Sequence, residues 1–235
     1  MVVYILLVAV LCCSLVESSY ITSCKAGDHA CVVTSANEVY QQLMVGIPEL
    51  GIDPQEPVFH PIIEGDLSIL KYKFLNGTFV GLDKCKMLDV QFDESTLKVH
   101  LEMTCPKIEM TANYEISGRL IVLPIEGEGE CSVVTGRYDL SADLDVKISE
   151  SNGKRHMAIK TFKLKPNAIE PIVFDFKNLF NGQKDLSDTV HKFANANWKE
   201  VSEFVQEPVW YTHARKLVTA ANKFLRNVGM DEITV

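Results

Sequence analysis

Residues 186–228 read LSDTVHKFANANWKEVSEFVQEPVWYTHARKLVTAANKFLRNV, and their apolar side chains recur at intervals of three to five positions. This spacing predicts a helix, and either Asp185 or Ser187 can cap its start. A continuous helix of this length would span ~65 Å at ~1.5 Å per residue. Pro208 must kink the helix or divide it into two arms. Because so long a helix does not fit an ordinary compact globule, we expect an elongated partner packed along it.

The only candidate for that partner is the segment 67–175, in which apolar and polar residues alternate. The alternation is clearest over 97–103 and 140–148, and a period of two predicts long antiparallel strands with one wet face. Turns are predicted at Asn76-Gly77, 93–95, 127–129 and 151–153. Strands in such a series predict one large twisted sheet, curled along the helix.

A shorter helix should precede the sheet. Asp28 can cap a helix whose apolar positions run from Val32 to Leu43 at spacings of three and four. Gly46, with a proline two positions later, is a stop signal. The following segment, 47–66, contains four of the nine prolines, which favours an extended crossing.

The N-terminus has the pattern of an export signal. Residues 2–16 are largely apolar, but the run is shorter than the ~20 residues that a bilayer span needs. Val16 and Ser18 occupy suitable positions for cleavage after Ser18. We therefore expect a signal peptide over 1–18 and a secreted, extracellular domain over 19–235; an uncleaved anchor is the alternative.

The charge and the length of the chain limit the classes of function that it can have. Removal of 1–18 leaves 217 residues with 23 basic and 30 acidic side chains, a net charge of −7. This length is ample for one large domain or two small ones. An acidic chain without a basic cluster is a poor binder of nucleic acid and does not suit anionic membrane surfaces.

The cysteines fit an oxidising compartment. Five of the seven remain after residue 18, and an odd count leaves at least one thiol without an intramolecular partner. Cys24 and Cys31 are the best candidates for a disulfide, because they are close together near the expected N-terminus. Cys85, Cys105 and Cys131 lie in strand-like segments.

A second disulfide between Cys85 and Cys105 is possible, but the expected register disfavours it. A tight hairpin turn after Phe92 pairs that residue with Leu97. The same register places Lys84 opposite Cys105, and a slip of one residue reverses the faces. Buried free thiols are therefore the favoured interpretation.

No catalytic arrangement is visible in the sequence. There is no Gly-x-Ser-x-Gly elbow, and the histidines show no metal-ligand spacing, so each is expected at the surface or at a helix cap. Segment 127–130 (GEGE) is better explained as a hairpin turn than as a phosphate loop. Asp143 and Asp145 share one strand face with Ser141, and a solvated outer face is favoured over acid–base chemistry. The histidines are His29, His60, His100, His156, His191 and His213.

Asn76, Gly77 and Thr78 form the acceptor pattern for an N-linked glycan, at a predicted turn of an exported protein. We expect Asn76 to be glycosylated; an unused turn sequence is the alternative.

Taken in order, seven short elements resemble the insect takeout and juvenile hormone binding proteins, and they cover nearly the whole expected domain. The elements are the Cys24 and Cys31 pair, 46–52 (GIPELGI), 76–82 (NGTFVGL), 114–124, 127–129, 178–182 (NLFNG) and 195–198 (NANW). The resemblance implies an α+β fold, in which a strongly curved antiparallel sheet wraps a long C-terminal helix. It further implies an elongated tube with an apolar tunnel, similar to lipid-transfer proteins of the bactericidal permeability-increasing type.

The sequence departs from the pattern of this family in two respects. The dedicated hormone carriers have a second disulfide in their C-terminal half, whereas no cysteine follows Cys131 here. This favours the takeout branch, although the tail 229–235 differs from the usual takeout ending. The physiological role, whether hormonal, feeding-related, circadian or olfactory, is left open.

The resulting hypothesis is a monomeric, non-enzymatic carrier without a cofactor, for a terpenoid such as juvenile hormone or for a fatty acid-like lipid. The rival is a protein of the same fold that acts on membranes or a receptor without soluble cargo. We expect the Cys24–Cys31 loop to limit opening at the N-terminal end of the tunnel. Candidate ligand-binding residues are aromatic, with core packing as the alternative role of each: Tyr40, Tyr114, Trp198, Phe204 and Trp210.

Overall fold

A computed structural model describes residues 20–151 and 153–233. The predicted signal peptide over 1–18 lies outside the described residues. Within them, no helix is both long enough and apolar enough to cross a membrane.

The described chain forms four α-helices and nine strands, as expected for an α+β protein. The helices are α1 (His29–Val45), α2 (Lys184–Ala196), α3 (Trp198–Leu225) and α4 (Met230–Ile233). The strands are β1 (Val58–Asp66), β2 (Leu70–Val80), β3 (Lys86–Asp93), β4 (Lys98–Cys105), β5 (Glu109–Leu120), β6 (Leu123–Thr135), β7 (Tyr138–Ser151), β8 (Lys154–Ala168) and β9 (Ile172–Phe176).

The strands divide into two antiparallel sheets, so the prediction of one continuous sheet is wrong in this respect. One sheet has the order β1-β2-β5-β6-β9 and the other the order β3-β4-β7-β8. The chain passes between them after β2, β4, β6 and β8, and we call this zone the seam. Backbone hydrogen bonds join neighbouring crossings: Thr135 donates to Ile108, and Gly136 donates to Pro171.

Helix α1 confirms the N-terminal prediction. The Asp28 side chain accepts a hydrogen bond from the Cys31 amide, and the helix ends before Gly46, which has a positive φ of 91°. Asn37 joins the helix to β3, because its side chain donates to the Met87 carbonyl and accepts from the Met87 amide.

The long C-terminal helix is present in two arms, but the break is at Asn197, between α2 and α3. Pro208 lies inside α3 without ending it, which corrects the expected position of the division. One turn earlier, the Tyr72 hydroxyl donates to the Val205 carbonyl and so holds this part of the helix on the sheet. The expected cap at Asp185 or Ser187 is also wrong, since α2 begins at Lys184 and has no side-chain cap.

Two of the four predicted turns are correct. They are the connection of β3 to β4 and that of β7 to β8. Asn76-Gly77 instead lies within β2, where the pairing with β5 is shifted by a bulge. Segment 127–129 instead lies within β6, and its glycines allow another part of the backbone to approach closely. A Cβ atom at Gly129 would lie only 2.6 Å from the Lys177 carbonyl oxygen.

The structure contains two disulfides, Cys24–Cys31 and Cys85–Cys105. The second corrects the interpretation of these cysteines as free thiols. The hairpin pairs Phe92 with Val99 rather than with Leu97, and one extra residue between Met87 and Asp89 shifts the register again. Together these two changes bring Cys85 opposite Cys105.

Cys131 keeps a free, buried thiol, and burial raises its pKa to about 12. A thiol with so high a pKa is unreactive at neutral pH.

Candidate ligand-binding cavity

A cavity lies between the five-stranded sheet and helices α2 and α3. It offers about 140 Å³ to the centre of a water-sized sphere, whereas one water molecule needs ~10–15 Å³ by this measure. Its wall is almost entirely apolar. The wall includes Leu70, Phe74, Met110, Leu120, Ile125 and Phe174 from the sheet, and Val190, Ala194, Val201, Val205 and Val209 from the helices.

Simple sequence periodicity builds this wall. In β2, Leu70, Tyr72 and Phe74 are buried, while the residues between them are exposed. In α3, Val201, Val205 and Val209 recur every four residues and so share one face of the helix. The cavity is therefore the space between a β face of period two and a helical stripe of period four.

The cavity wall ends at the seam. Leu82, Ile108 and Tyr138 line it there, each at or beside a crossing between the sheets. Beyond Tyr138, the inner face of the four-stranded sheet is packed around a second apolar cluster, formed by Ala142, Leu144 and Val146.

Most polar groups in the wall are already bonded within the protein. The Tyr138 hydroxyl donates to Gln206, and the His191 ring accepts from the Phe176 amide. Burial raises the pKa of Tyr72 and that of Tyr138, so both phenols are neutral at physiological pH. These groups fix the wall and leave it effectively apolar.

His213 is the exception among the polar wall residues. It is 93% buried, and its Nδ1 atom has no hydrogen-bond partner among the described residues. His60, which is also buried, packs edge to face against it, with ring centroids 5.9 Å apart. Burial, together with His60 and Lys216, lowers the pKa of His213 to about 3. Burial and Lys216 also lower the pKa of His60, so both rings are neutral.

These positions correct the expectation that every histidine lies at the surface or at a helix cap. His60 occupies an inward position of β1, and His213 lies three residues after Trp210 on the inner face of α3. Helical spacing from Trp210 could have identified His213 in the sequence.

Among the predicted ligand-binding residues, Trp210 lines the cavity. Tyr40 is buried behind the wall and donates its hydroxyl proton to the Leu82 carbonyl. Tyr114 lies behind Phe176, with 4.7 Å between ring centroids, and donates to the Lys177 carbonyl. Burial raises the pKa of Tyr114 to about 12.

Trp198 and Phe204 are partly buried and pack against the main core. Direct ligand contact by any of the five aromatic residues stays a prediction. The sequence interpretation missed the inward residues of β2, although their alternation would have revealed them.

The Cys24–Cys31 disulfide lies away from this cavity. Cys24 donates its amide proton to the Ile233 carbonyl, so the N-terminal arm packs beside α4. The described lining contains neither cysteine and no residue of α1. The expected control of ligand release by this loop therefore has no geometric basis at this cavity.

The carboxylates that the sequence places on one strand face are paired with neighbouring side chains. His100 and Asp143 form a 2.8 Å ion pair on an exposed strand face, and Asp145 accepts a hydrogen bond from Thr161. Asp143 raises the pKa of His100, and His100 in turn lowers that of Asp143. Within the described part of the chain, no three His, Cys, Asp or Glu residues are grouped so that they could hold a metal ion.

Comparison with known proteins agrees with this architecture. The family model described as haemolymph juvenile hormone binding protein matches residues 4–235. The crystal structure of Epiphyas postvittana Takeout 1 superimposes with a TM-score of 0.86 at 26% identity, covering 91% of this chain and 99% of that one.

Two curated relatives carry the name circadian clock-controlled protein daywake. The Drosophila melanogaster protein is 25% identical over 221 residues, and the Drosophila yakuba protein is 24% identical over 224 residues. Each alignment covers 89% of this chain and 85% of the relative.

The protein has an α+β fold in which two antiparallel sheets pack on the C-terminal helices. An apolar cavity lies between the five-stranded sheet and these helices. This combination defines a binding protein of the takeout type. The chain belongs to the haemolymph juvenile hormone binding protein family.

Proposed function

We propose that this protein is a secreted, monomeric carrier that encloses one elongated apolar ligand and moves it through aqueous fluid. The observation that carries the proposal is the buried, almost wholly apolar cavity beneath α2 and α3. Burial of apolar ligand surface contributes ~25 cal/mol per Å², so an otherwise plain apolar wall is sufficient for binding. The ligand class is a terpenoid, as the family description suggests, or a fatty acid-like lipid.

Secretion is supported by the N-terminal pattern and by two disulfides, which persist in oxidising compartments. Expression of the full sequence in insect cells tests it directly. We expect the protein in the medium, beginning at Ser19 by N-terminal sequencing. Retention in the cell membrane with residues 1–18 intact would support the uncleaved anchor.

Organic extraction of the purified protein, followed by mass spectrometry, tests for cargo. A lipid or terpenoid in a stoichiometric amount supports the carrier. Absence of bound cargo, no binding of added lipid, and flotation of the protein with phosphatidylcholine vesicles would support the rival function on membranes.

Two matched variants separate cavity binding from surface binding. Ala194 is buried in the cavity wall, and Ala196 is exposed two residues later on the same helix. Ala194→Phe fills the cavity and should weaken binding of added lipid at least ~10-fold, as expected for displaced apolar contact. Ala196→Phe should leave the affinity unchanged. Equal effects of both substitutions would contradict binding in this cavity.

A further inference from the structure

His213 combines two properties that no other described residue combines. It lines the apolar cavity, and it carries a buried side-chain nitrogen without a hydrogen-bond partner. An unsatisfied buried polar atom is uncommon in a folded protein and usually has a specific reason. The neighbouring His60 does not supply the missing partner, because its Nε2 atom is itself buried and unpartnered.

The other polar residues of the cavity wall are hydrogen-bonded within the protein. Tyr72, Tyr138, Thr135 and His191 all line the cavity, and each has a hydrogen bond within the protein. Among the described lining residues, His213 therefore carries the one buried side-chain nitrogen or oxygen that makes no hydrogen bond at all. Small-molecule pockets typically have this composition, with a largely apolar wall and a few polar groups that fix the orientation of the ligand.

We propose that His213, supported by His60, binds the polar end of the ligand, and that this end is a hydroxyl group. The inference rests on the proposed carrier function and specifies the chemistry of its cargo. The described lining contains no lysine, arginine, aspartate or glutamate. A carboxylate end would thus be buried without a cationic partner in the wall, which is costly. A neutral hydroxyl has no such cost.

A hydroxyl also suits both forms of the imidazole. A neutral ring has one nitrogen that donates and one that accepts, and a hydroxyl can do either. A half-turn of the ring about its Cβ–Cγ bond exchanges Nδ1 with Cδ2, and this two-fold torsion would turn the unpartnered atom to the other side of the ring. Lys216 is not among the described lining residues, and its ammonium group donates to the Phe59 carbonyl.

Three probes of equal chain length test the proposal: 1-dodecanol, dodecyl methyl ether and dodecane. Each displaces the fluorescent reporter N-phenyl-1-naphthylamine from the intact protein, and the ratio of the dodecane Kd to the dodecanol Kd is measured. In His213→Phe this ratio should fall ~5–10-fold, the value of one hydrogen bond. The ether shows the direction of the hydrogen bond. It can accept a hydrogen bond from the histidine, but it has no proton to donate to the histidine.

Two further substitutions control the measurement. His213→Gln keeps donor and acceptor atoms and should hold the ratio within ~2-fold of the wild-type value. His100→Phe changes a partly exposed histidine on the other sheet and should leave the ratio unchanged. A ratio in His213→Phe equal to that of the wild type would overturn the inference while leaving the carrier function intact.

Nitrogen-15 NMR of the imidazoles keeps the test decisive if His213→Phe does not fold. Dodecanol should shift the His213 nitrogen signals of the wild-type protein, and dodecane should not. An identical response to both would overturn the inference. If no probe displaces the reporter, the carrier proposal itself fails, and this inference fails with it.

Discussion

Cys85 and Cys105 face each other across the β3–β4 pair because Leu88 is an extra residue in β3. The pairing runs from Asp89 with Glu102 to Met87 with Met103, so Leu88 has no partner in β4. A bulge of this kind inserts one residue into one strand and changes the register beyond it. The resulting disulfide is fully buried at the seam between the two sheets.

We predict that Cys85→Ala with Cys105→Ala lowers the free energy of unfolding by ~3 kcal/mol, because the bridge closes a loop of about 20 residues in the unfolded chain. Cys24→Ala with Cys31→Ala should cost only ~2 kcal/mol, since its loop is shorter. Urea unfolding of both double variants checks this order. A larger loss from the Cys24–Cys31 pair would contradict it.

The Cys24→Ala, Cys31→Ala variant also separates stability from binding. Neither Cys24 nor Cys31 lines the cavity, so their replacement should leave the Kd of added lipid within ~2-fold of the wild-type value, as expected for sites without shared partners. A clear loss of affinity in a folded Cys24→Ala, Cys31→Ala protein would restore a role for the N-terminal loop in ligand retention.

Acid should destabilise the fold through His213. Its folded pKa is about 3, below the ordinary value of 6.5, so between these pH values the unfolded chain binds a proton that the folded chain does not. The free energy of unfolding therefore falls as the pH falls, by up to ~1.4 kcal/mol per pH unit. Urea midpoints at pH 7, 6 and 5 measure the slope, and His213→Phe should reduce it.

Other groups fix how this slope is interpreted. His60 has the same sign as His213, because burial lowers its pKa too. His100 contributes with the opposite sign. Asp143 raises the pKa of His100, so the protonated ring stabilises the folded protein at a pH below its ordinary pKa. The difference between the wild type and His213→Phe isolates the buried ring, and equal slopes would contradict the prediction.

Gly129 should not tolerate a side chain. Its Cβ would lie 2.6 Å from the Lys177 carbonyl oxygen, a backbone atom that cannot simply rotate away. We expect Gly129→Ala to lower the free energy of unfolding by ~1–3 kcal/mol, as for other overpacked sites. Gly77→Ala is the control, because the nearest atom would lie at 3.7 Å. Thermal unfolding compares the two, and equal stability would contradict the close approach.

Asn76 is exposed on the outer face of the five-stranded sheet, at the bulge in β2. An acceptor in this position is open to glycosylation in an exported chain. We predict that Asn76→Gln, secreted from insect cells, migrates on a denaturing gel with the enzymatically deglycosylated wild type. Thr78→Ser retains the acceptor pattern and should keep the glycan. Equal migration of Asn76→Gln and untreated wild type would show that the site is unused.

The periodic parts of the fold could be predicted from the sequence. A helical repeat gave α3, alternation gave β4 and β7, and Asp28 gave the start of α1. These succeeded because local geometry determines them. The failures concern long-range contact: 127–129 contains turn residues, but the approach of Lys177 to Gly129 keeps the segment in β6.

The candidate site was harder to predict than the fold. Four of the five chosen aromatic residues lie behind the cavity wall or pack against the core, because an apolar aromatic pattern does not distinguish a wall from its support. His213 was overlooked because each histidine was expected at the surface or at a helix cap, although its spacing from Trp210 places it on the inner face of α3. Only its burial among apolar neighbours gives it significance.

The seam between the two sheets marks one end of the cavity lining. Four passages of the chain between the sheets lie there, and the described lining of the cavity ends at residues of three of them, Leu82, Ile108 and Tyr138. The extent of the cavity should therefore select ligands by their length. We expect each added methylene to strengthen binding only until the ligand reaches the seam.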